Sequence, residues 1–90
     1  MHIEFDPEKR DKTIAMRGLD FARAGEAFAG RHFTAPDLRE NYGEPRFVTV
    51  GKMDSRMVVV VWTPRGTARR IISMRKANER EQEKYAHRLD

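Results

Sequence analysis

An unbroken apolar run, Val58-Val59-Val60-Val61-Trp62, constrains the fold of this chain more than any other feature. A strand with one face in water alternates apolar and polar residues, and this run does not alternate. We therefore predict a central strand over residues 56–63, in a sheet that is covered on both faces. The run is far too short to cross a bilayer, which takes about 20 apolar residues.

Two more strands surround the central strand in the sequence. RFVTV at 46–50 precedes it, and residues 51–55 between the two are typical of a hairpin connection. Residues 64–67, Pro-Arg-Gly-Thr, are typical of a turn, after which residues 68–74 return as a third strand. This order predicts an antiparallel meander.

The N-terminal segment predicts a short strand followed by a helix. Residues 2–5 are the strand candidate, and Asp6-Pro7-Glu8 is typical of a helix start. Aspartate accepts hydrogen bonds from the free amide groups of the first turn, and proline suits the first helical position. Gly18 is suited to the end of this helix, because glycine adopts the left-handed conformation that ends many helices.

A second helix and a long loop are predicted to follow. Asp20 is a candidate cap for a helix in which Phe21, Ala24 and Phe28 form one apolar stripe. From residue 30 to residue 45 the composition is that of a loop, with one brief strand candidate at 32–34. A loop of this length in a small domain is often functional.

The C-terminal segment predicts a third helix and completes the fold class. Asn78 and Glu81 have the spacing of a helix cap with a reciprocal glutamate, so we expect a helix from about 78 to 88. A short strand, two N-terminal helices, a mostly antiparallel sheet and a C-terminal helix define an α+β fold. At 90 residues, we expect a single domain over residues 1–90.

Several function classes have no support in this sequence. Cysteine is absent, which excludes disulfides and thiolate chemistry. The three histidines show no metal-ligand spacing, and only His32, in the long loop, is kept as a candidate base. We expect no metal and no cofactor. The N-terminus is charged from Glu4 onward and lacks the apolar core of a signal peptide, so we expect a cytosolic protein that does not bind membranes.

The positive charge of the chain is concentrated in one segment. The net charge is +4, and residues 65–80 hold six cationic side chains against the single acid Glu79. Such a segment is typical of a protein that binds a polyanion. Cations on edge strands also keep small domains from aggregating, so charge alone leaves both interpretations open.

The predicted meander brings several charged side chains toward one end of the sheet. Glu44, Arg46, Arg65 and Arg69 flank the ends of strands that meet there. Arg75 and Lys76 leave the third strand at the opposite end, unless a bulge or sheet curvature brings them round. Metal-free RNA cleavage needs a group to deprotonate the 2′-hydroxyl, cations for the phosphorane and a donor for the leaving oxygen. Arginine suits the second role, and Glu44 is the carboxylate for the first, although a surface ion pair with Arg46 remains open.

These residues resemble a known family, the BrnT toxins of type II toxin–antitoxin systems. The resemblance is carried by four blocks in the usual order, which are FDPEK at 5–9, Gly18 with Phe21, Ala24 and Phe28, GEPRFVTVG at 43–51, and RIISMRKANEREQEKY at 70–85. The resemblance implies a RelE-like fold and a metal-independent endoribonuclease that inhibits translation and growth in the cytoplasm. It also implies a BrnA-type antitoxin that neutralises the toxin in a hetero-oligomer and alone contacts operator DNA.

The resemblance also implies a set of site residues. Those expected to be catalytic are Glu44, Arg46, Arg65, Arg75 and Tyr85. In this interpretation the three arginines hold phosphate, Glu44 orients the substrate or accepts a proton, and Tyr85 supports or donates. Those expected to contact RNA are Arg17, Arg69, Arg70, Lys76 and Arg80. Arg70, Ser73 and Glu81 also match the family pattern.

The sequence departs from the family pattern near the end of the first helix. Met16 and Arg17 stand where many relatives carry Lys-His, and Thr13 stands where they carry Asn. Arginine keeps the charge of a protonated histidine but does not titrate near neutral pH. This departure supports an alternative, a catalytically weak or inactive module that binds RNA and the antitoxin and co-regulates its operon. A sequence-specific DNA binder is disfavoured, because glutamates interrupt the cations of the last helix.

Overall fold

The computed structural model describes residues 2–89, which fold into a five-stranded sheet with helices on both faces. The elements in chain order are β1 (His2–Phe5), α1 (Pro7–Arg17), a 3-10 helix (Phe21–Arg23), α2 (Gly25–Ala29), β2 (Phe33–Pro36), β3 (Phe47–Met53), β4 (Arg56–Arg65), β5 (Ala68–Lys76) and α3 (Glu79–Leu89). The strand order is β1-β5-β4-β3-β2, and only the β1–β5 pair is parallel. The predicted α+β class and the mostly antiparallel sheet are confirmed.

The valine run forms the middle strand, β4, as the sequence predicted. Val58, Val60 and Trp62 pack on one face, against the 3-10 helix and α2. Val59 packs on the other face with Val50, where α3 covers the sheet. Residues 58–62 are therefore buried on both faces of this strand, which explains why its sequence shows no alternation.

The connection between β3 and β4 is tighter than the sequence indicated. Only Asp54 and Ser55 lie between the paired residues Met53 and Arg56, and both have positive φ, at 53° and 64°. Two consecutive residues with positive φ match the right-handed twist of the strands they join. The hairpin is confirmed, and β3 is longer than expected.

The predicted capping signals of α1 and α3 are confirmed. The Asp6 carboxylate accepts a hydrogen bond from the Glu8 amide at 2.9 Å, and Gly18 ends α1 with φ 68°. At α3, the Asn78 side chain accepts from the Glu81 amide while Glu81 accepts from the Asn78 amide, both at 2.9 Å. These bonds satisfy amide groups that the helix itself leaves free.

The prediction of two N-terminal α-helices was wrong in its second member. Asp20 does cap a helical turn, accepting from the Ala22 amide at 2.9 Å, but this turn is a 3-10 helix, closed by a bond from the Ala24 amide to the Phe21 carbonyl. The α-helix that follows, α2, has only 5 residues. The apolar stripe predicted for one helix is buried all the same, because the 3-10 turn and α2 present it jointly to the sheet.

A close backbone contact joins α2 to the sheet below it. The backbone of α2 lies so close to β3 that a Cβ placed on Gly51 would collide with the carbonyl oxygen of Ala27. No helix among residues 2–89 combines the length and apolar character needed to cross a membrane.

Candidate active site

A groove of about 380 Å³ opens on the sheet face that carries α3. Its floor is formed by valines of β3 and β4, and its walls by the segment after β2 and by α3. The chemically active side chains that line it are Asp37, Arg39, Ser73, Arg75, Glu81 and Tyr85. An apolar floor lowers the local dielectric, so the arginines here interact more strongly with a bound anion than they would in water.

Arg75 projects from β5 into this groove and is held by Glu81 of α3. Its Nη1 and Nη2 donate to the two carboxylate oxygens of Glu81 at 2.7 Å and 2.8 Å. These hydrogen bonds are the main reason that the pKa of Glu81 is lowered to about 2 and that the pKa of Arg75 is raised. The guanidinium has five N–H donors. Two of them bond Glu81 and Nη1 also lies 3.4 Å from the Lys76 carbonyl oxygen, which leaves Nε and the second N–H of Nη2 for a ligand.

The opposite wall contains an arginine that the sequence analysis did not single out. Arg39 donates to both carboxylate oxygens of Asp37, at 2.8 Å and 2.7 Å, and its own side chain is 71% exposed. The positive charge of Arg39 lies close enough to Arg75 to act against the rise in the pKa of Arg75. Two like charges directed at one groove favour an anion between them. The only sequence signal was an Asp-x-Arg pattern directly after a strand.

Asp37 anchors this wall. Its side chain is only 1% exposed, and besides Arg39 it accepts from the Tyr42 hydroxyl at 3.3 Å. The Asp37 amide donates to the carbonyl of Arg46 at 2.8 Å, which ties the wall to the start of β3. The hydrogen bonds from Arg39 lower the pKa of Asp37 to about 2, so the carboxylate stays charged. The predicted long loop is therefore an ordered segment, with β2 inside it.

Tyr85 of α3 stands on the same side as Glu81. Its ring packs on Phe33 of β2, with ring centroids 5.4 Å apart. This packing holds the phenol at the wall of the groove. Tyr85 therefore adds to the lining of the groove a phenol, whose hydroxyl both donates and accepts hydrogen bonds.

Three of the predicted catalytic residues form a second cluster beside the Asp37 wall. Arg46 Nε lies 3.4 Å from one carboxylate oxygen of Glu44, and Arg65 Nη2 lies 3.7 Å from the other. The guanidinium of Arg46 stacks on the Tyr42 ring at 4.0 Å. Since Tyr42 also contacts Asp37, side chains connect the two clusters without a break. The predicted five therefore lie in two groups, Arg75 with Tyr85 in the groove and Glu44 with Arg46 and Arg65 beyond it.

A comparison of the sequence with known protein families identifies the family of this chain. The family model described as the ribonuclease toxin, BrnT, of type II toxin–antitoxin systems matches residues 5–81. The chain belongs to the BrnT toxin family. A comparison with curated proteins finds no match. Family membership implies a ribonuclease toxin with an antitoxin partner and an RNA substrate. The matched residues include Arg39, Arg75 and Glu81 but stop before Tyr85.

The residues expected to contact RNA lie outside the lining of the groove, as far as residues 2–89 show. In this BrnT chain Arg17 donates to the carbonyl of Met74 at 2.8 Å, at the edge of β5. Arg70 donates to Glu4 of the neighbouring strand at 2.6 Å. The family departure at Met16 and Arg17 therefore falls on α1, at residues that do not line the groove.

Arg69 does not join the Glu44 cluster, where the sequence analysis expected it. Its guanidinium lies over the rings of Phe28 and Trp62, at 3.9 Å and 5.2 Å from their centroids. Strand alternation directs it to the face that carries α2. The β-bulge opposite Val61 and Trp62 inserts one extra residue in β5 between Arg69 and Arg75, so these two arginines project from opposite faces.

The other expected residues have a simpler placement. Lys76 ends β5 and is exposed, and Arg80 is exposed in the first turn of α3. His32 contacts the Gly30 carbonyl at 2.9 Å and packs against Phe28, so it lies away from the groove lining. Among residues 2–89, no three His, Cys, Asp or Glu side chains are grouped to hold a metal ion.

Proposed function

We propose that this BrnT chain is a metal-independent endoribonuclease that cleaves RNA in the groove and so inhibits translation and growth. The observation that carries the proposal is the pair Arg39 and Arg75, which line one groove with an apolar floor, together with Tyr85. Two carboxylates also line the groove, and each is already bonded to one of these arginines. Asp37 accepts from Arg39, and Glu81 accepts from Arg75. The remaining N–H donors suit the two non-bridging oxygens of a phosphorane.

The reaction is an attack of the RNA 2′-oxygen on the adjacent phosphorus. The bond from phosphorus to the 5′-oxygen breaks, which leaves a 2′,3′-cyclic phosphate and a 5′-hydroxyl end. Arg39 and Arg75 stabilise the charge that develops on the phosphorane. This is electrostatic work that a metal ion performs in other nucleases, and fixed guanidinium groups supply it here.

Two protons must move in this reaction. The proton of the 2′-hydroxyl passes to water, because Glu44, the carboxylate expected to accept it, lies with Arg46 and Arg65 in the second cluster and outside the lining of the groove. The carboxylates of Glu81 and Asp37 are poor bases at neutral pH, since the pKa of each is lowered to about 2. Tyr85 then donates its proton to the leaving 5′-oxygen. Arg46 and Arg65, beside Glu44 in the second cluster, contact a neighbouring phosphate of the same RNA.

The cellular part of the proposal follows from the family. A BrnA-type antitoxin neutralises the toxin in a cytoplasmic hetero-oligomer, and operator DNA is contacted only through that antitoxin. An acidic partner suits a chain whose net charge is +4.

A second function is supported by the bidentate contact between Arg75 and Glu81. In the free protein this contact engages two of the donors that would bind phosphate. If RNA neither displaces Glu81 from these donors nor shares them with it, the chain binds RNA and the antitoxin without cutting RNA. It then acts as a co-regulator of its operon. Turnover separates the two functions, because a binder retains RNA in a salt-dependent manner and leaves it intact.

The decisive experiment compares wild type with Arg75→Ala and with Arg56→Ala, a matched loss of an exposed arginine on the β3–β4 hairpin. Growth after induction and cleavage of purified RNA in EDTA are measured for all three. We expect arrest and cleavage for wild type and Arg56→Ala, and a loss of at least about 100-fold in cleavage for Arg75→Ala. Intact RNA with every variant, while binding persists, would establish the co-regulator instead.

A further inference from the structure

The outer edge of β5 is only partly covered. The parallel strand β1 pairs with Ala68–Ile71 and ends at Phe5, after which the chain turns into α1. Within residues 2–89, no strand pairs with residues 72–76 on the side away from β4. An edge of this kind presents unpaired backbone donors and acceptors, to which another extended chain can add.

The hydrogen-bonding groups at this edge can be identified from the β4 ladder. The Ala77 amide donates to the Met57 carbonyl at 2.9 Å, and bonded pairs alternate along antiparallel strands. Arg75 therefore directs its amide and carbonyl toward β4, whereas Met74 and Lys76 direct theirs outward. The hydrogen bond from Arg17 to the Met74 carbonyl, at 2.8 Å, shows that this carbonyl faces the open side.

The helix beside this edge has one strongly cationic side. A cavity of about 220 Å³ lies between α1 and β5. The α1 residues that line it are Lys9, Lys12, Thr13, Met16 and Arg17, which share one helical face and include three cations and no acid. The acidic residues of α1, Glu8 and Asp11, do not line the cavity.

The same helix is also packed less than an ordinary helix of its length. None of its 11 residues is buried, and Met16 is 81% exposed. An amphipathic helix in a small domain normally buries an apolar stripe. Here an apolar side chain and three cations stand open next to an open strand edge.

We infer that the β5 edge, residues 72–76, together with the cationic face of α1, is a docking site for an acidic, extended segment of a partner protein. The segment pairs with the outward groups of Met74 and Lys76. It takes over the Met74 carbonyl from Arg17, which then pairs with a carboxylate of the segment, as do Lys9 and Lys12. Backbone pairing favours a peptide over RNA, which has no chain of amide groups to match the strand.

The docking site adjoins the groove through β5 but shares little with it. Ser73 lines both cavities, and Arg75 projects into the groove from the same strand. Assigning the segment to the antitoxin rests on the proposed function. The docking site itself does not, so it is tested with a synthetic peptide and without any measurement of RNA cleavage.

The experiment titrates ¹⁵N-labelled protein with a capped peptide of about six residues in which Glu and Val alternate. We expect chemical-shift changes along 72–76 and α1, and slower exchange of the Met74 and Lys76 amides. A peptide with Lys in place of Glu should bind at least about tenfold more weakly, as should the Glu peptide N-methylated along one edge. These two peptides test charge and backbone pairing while the protein stays unchanged.

A protein variant provides the second arm. The double variant Lys9→Glu, Lys12→Glu should bind the Glu-Val peptide at least about tenfold more weakly than wild type. Arg31→Glu, a charge reversal just before β2 at the opposite edge of the sheet, should leave binding unchanged. If the Glu and Lys peptides bind equally, or if neither binds, the proposal is overturned. The cations would then serve to keep the open strand edge from aggregating. Shifts at this edge caused by protein concentration alone, or by a short single-stranded RNA but not by the peptide, would assign it to a second copy or to RNA instead.

Discussion

One carboxylate oxygen of Glu81 accepts hydrogen bonds both from Arg75 Nη1, at 2.7 Å, and from the Asn78 amide, at 2.9 Å. The start of α3 and the position of Arg75 in the groove are thus held by the same atom. A capping residue that also orients a cation of the candidate active site couples the stability of the helix to the geometry of the site. Glu81 therefore does more than its place in the capping pattern indicated.

Glu81→Gln is expected to lower the free energy of unfolding by about 2 kcal/mol, since it weakens the cap and removes the charge-assisted bonds to Arg75. The matched variant Asn78→Ala removes the other half of the cap and leaves the Arg75–Glu81 contact in place, with an expected cost of about 1 kcal/mol. Urea denaturation of both variants measures the difference. Equal losses would show that the contact with Arg75 adds no stability.

Acid should destabilise the protein through Asp37 and Glu81. The pKa of each is about 2, below the ordinary values of 3.8 and 4.5, because hydrogen bonds from Arg39 and Arg75 favour the charged carboxylates. A carboxyl group with a lowered pKa in the folded state contributes stability that is present above its ordinary pKa and is lost as the pH falls toward 2.

This dependence is measured by chemical denaturation at a series of pH values. Wild type should lose stability between about pH 4.5 and pH 2. Asp37→Asn should be less stable than wild type at neutral pH. Its free energy of unfolding should change less over that pH range, because the variant lacks the carboxyl group that takes up a proton there. Parallel curves for the two proteins would contradict the assignment of Asp37.

Tyr85→Phe should reduce the rate of cleavage by about 100-fold without changing RNA affinity, because it removes the proposed proton donor and keeps the ring against Phe33. The control is an RNA whose leaving 5′-oxygen is replaced by sulfur, a leaving group that needs no proton. Wild type and Tyr85→Phe should cleave this RNA at similar rates. A defect that persists with the sulfur substrate would assign Tyr85 a positioning role.

Arg39→Ala should weaken RNA binding and lower the slope of affinity against salt concentration by about one unit, as expected for one lost phosphate contact. Arg39→Lys should retain most of the salt slope but less cleavage, because lysine lacks the planar fork that binds two oxygens. Filter binding over a range of salt and cleavage assays measure both effects. An unchanged salt slope for Arg39→Ala would remove Arg39 from the site.

Gly51→Ala is expected to destabilise the fold by about 3 kcal/mol, because the added methyl group would collide with the Ala27 carbonyl of α2. Gly30→Ala is the matched control. Its Cβ would have no atom within 4 Å, and its φ of −95° is open to alanine. Thermal or urea unfolding compares the two. Similar stabilities would show that α2 shifts away from β3 at little cost.

Much of the fold was predictable because its signals are local. The valine run predicted the central strand, and Asp6 with Gly18 and Asn78 with Glu81 predicted the ends of two helices. Each signal acts through neighbours in the chain, by capping bonds or by burial of a whole strand. The second N-terminal helix was mispredicted because an apolar stripe has the same sequence spacing whether one α-helix presents it or a 3-10 turn and a short α-helix present it jointly.

The candidate site was predictable only in part. The convergence of Glu44, Arg46 and Arg65 followed from strand order, and it is seen in the structure. Arg69 was misplaced because a residue's face depends on strand register. Arg39 was missed because nothing local separates a loop arginine from any other exposed cation.

The sequence by itself determined the family, the α+β class, the central strand and the helix ends, because each depends on residues close together in the chain. Only the tertiary structure decided that Arg39 and Arg75 line one groove, that Asp37 and Glu81 hold them, and that the end of β5 is open. Those relationships depend on register, on the bulge in β5 and on the path of the segment after β2. They are set when distant parts of the chain pack together, and no local pattern encodes them.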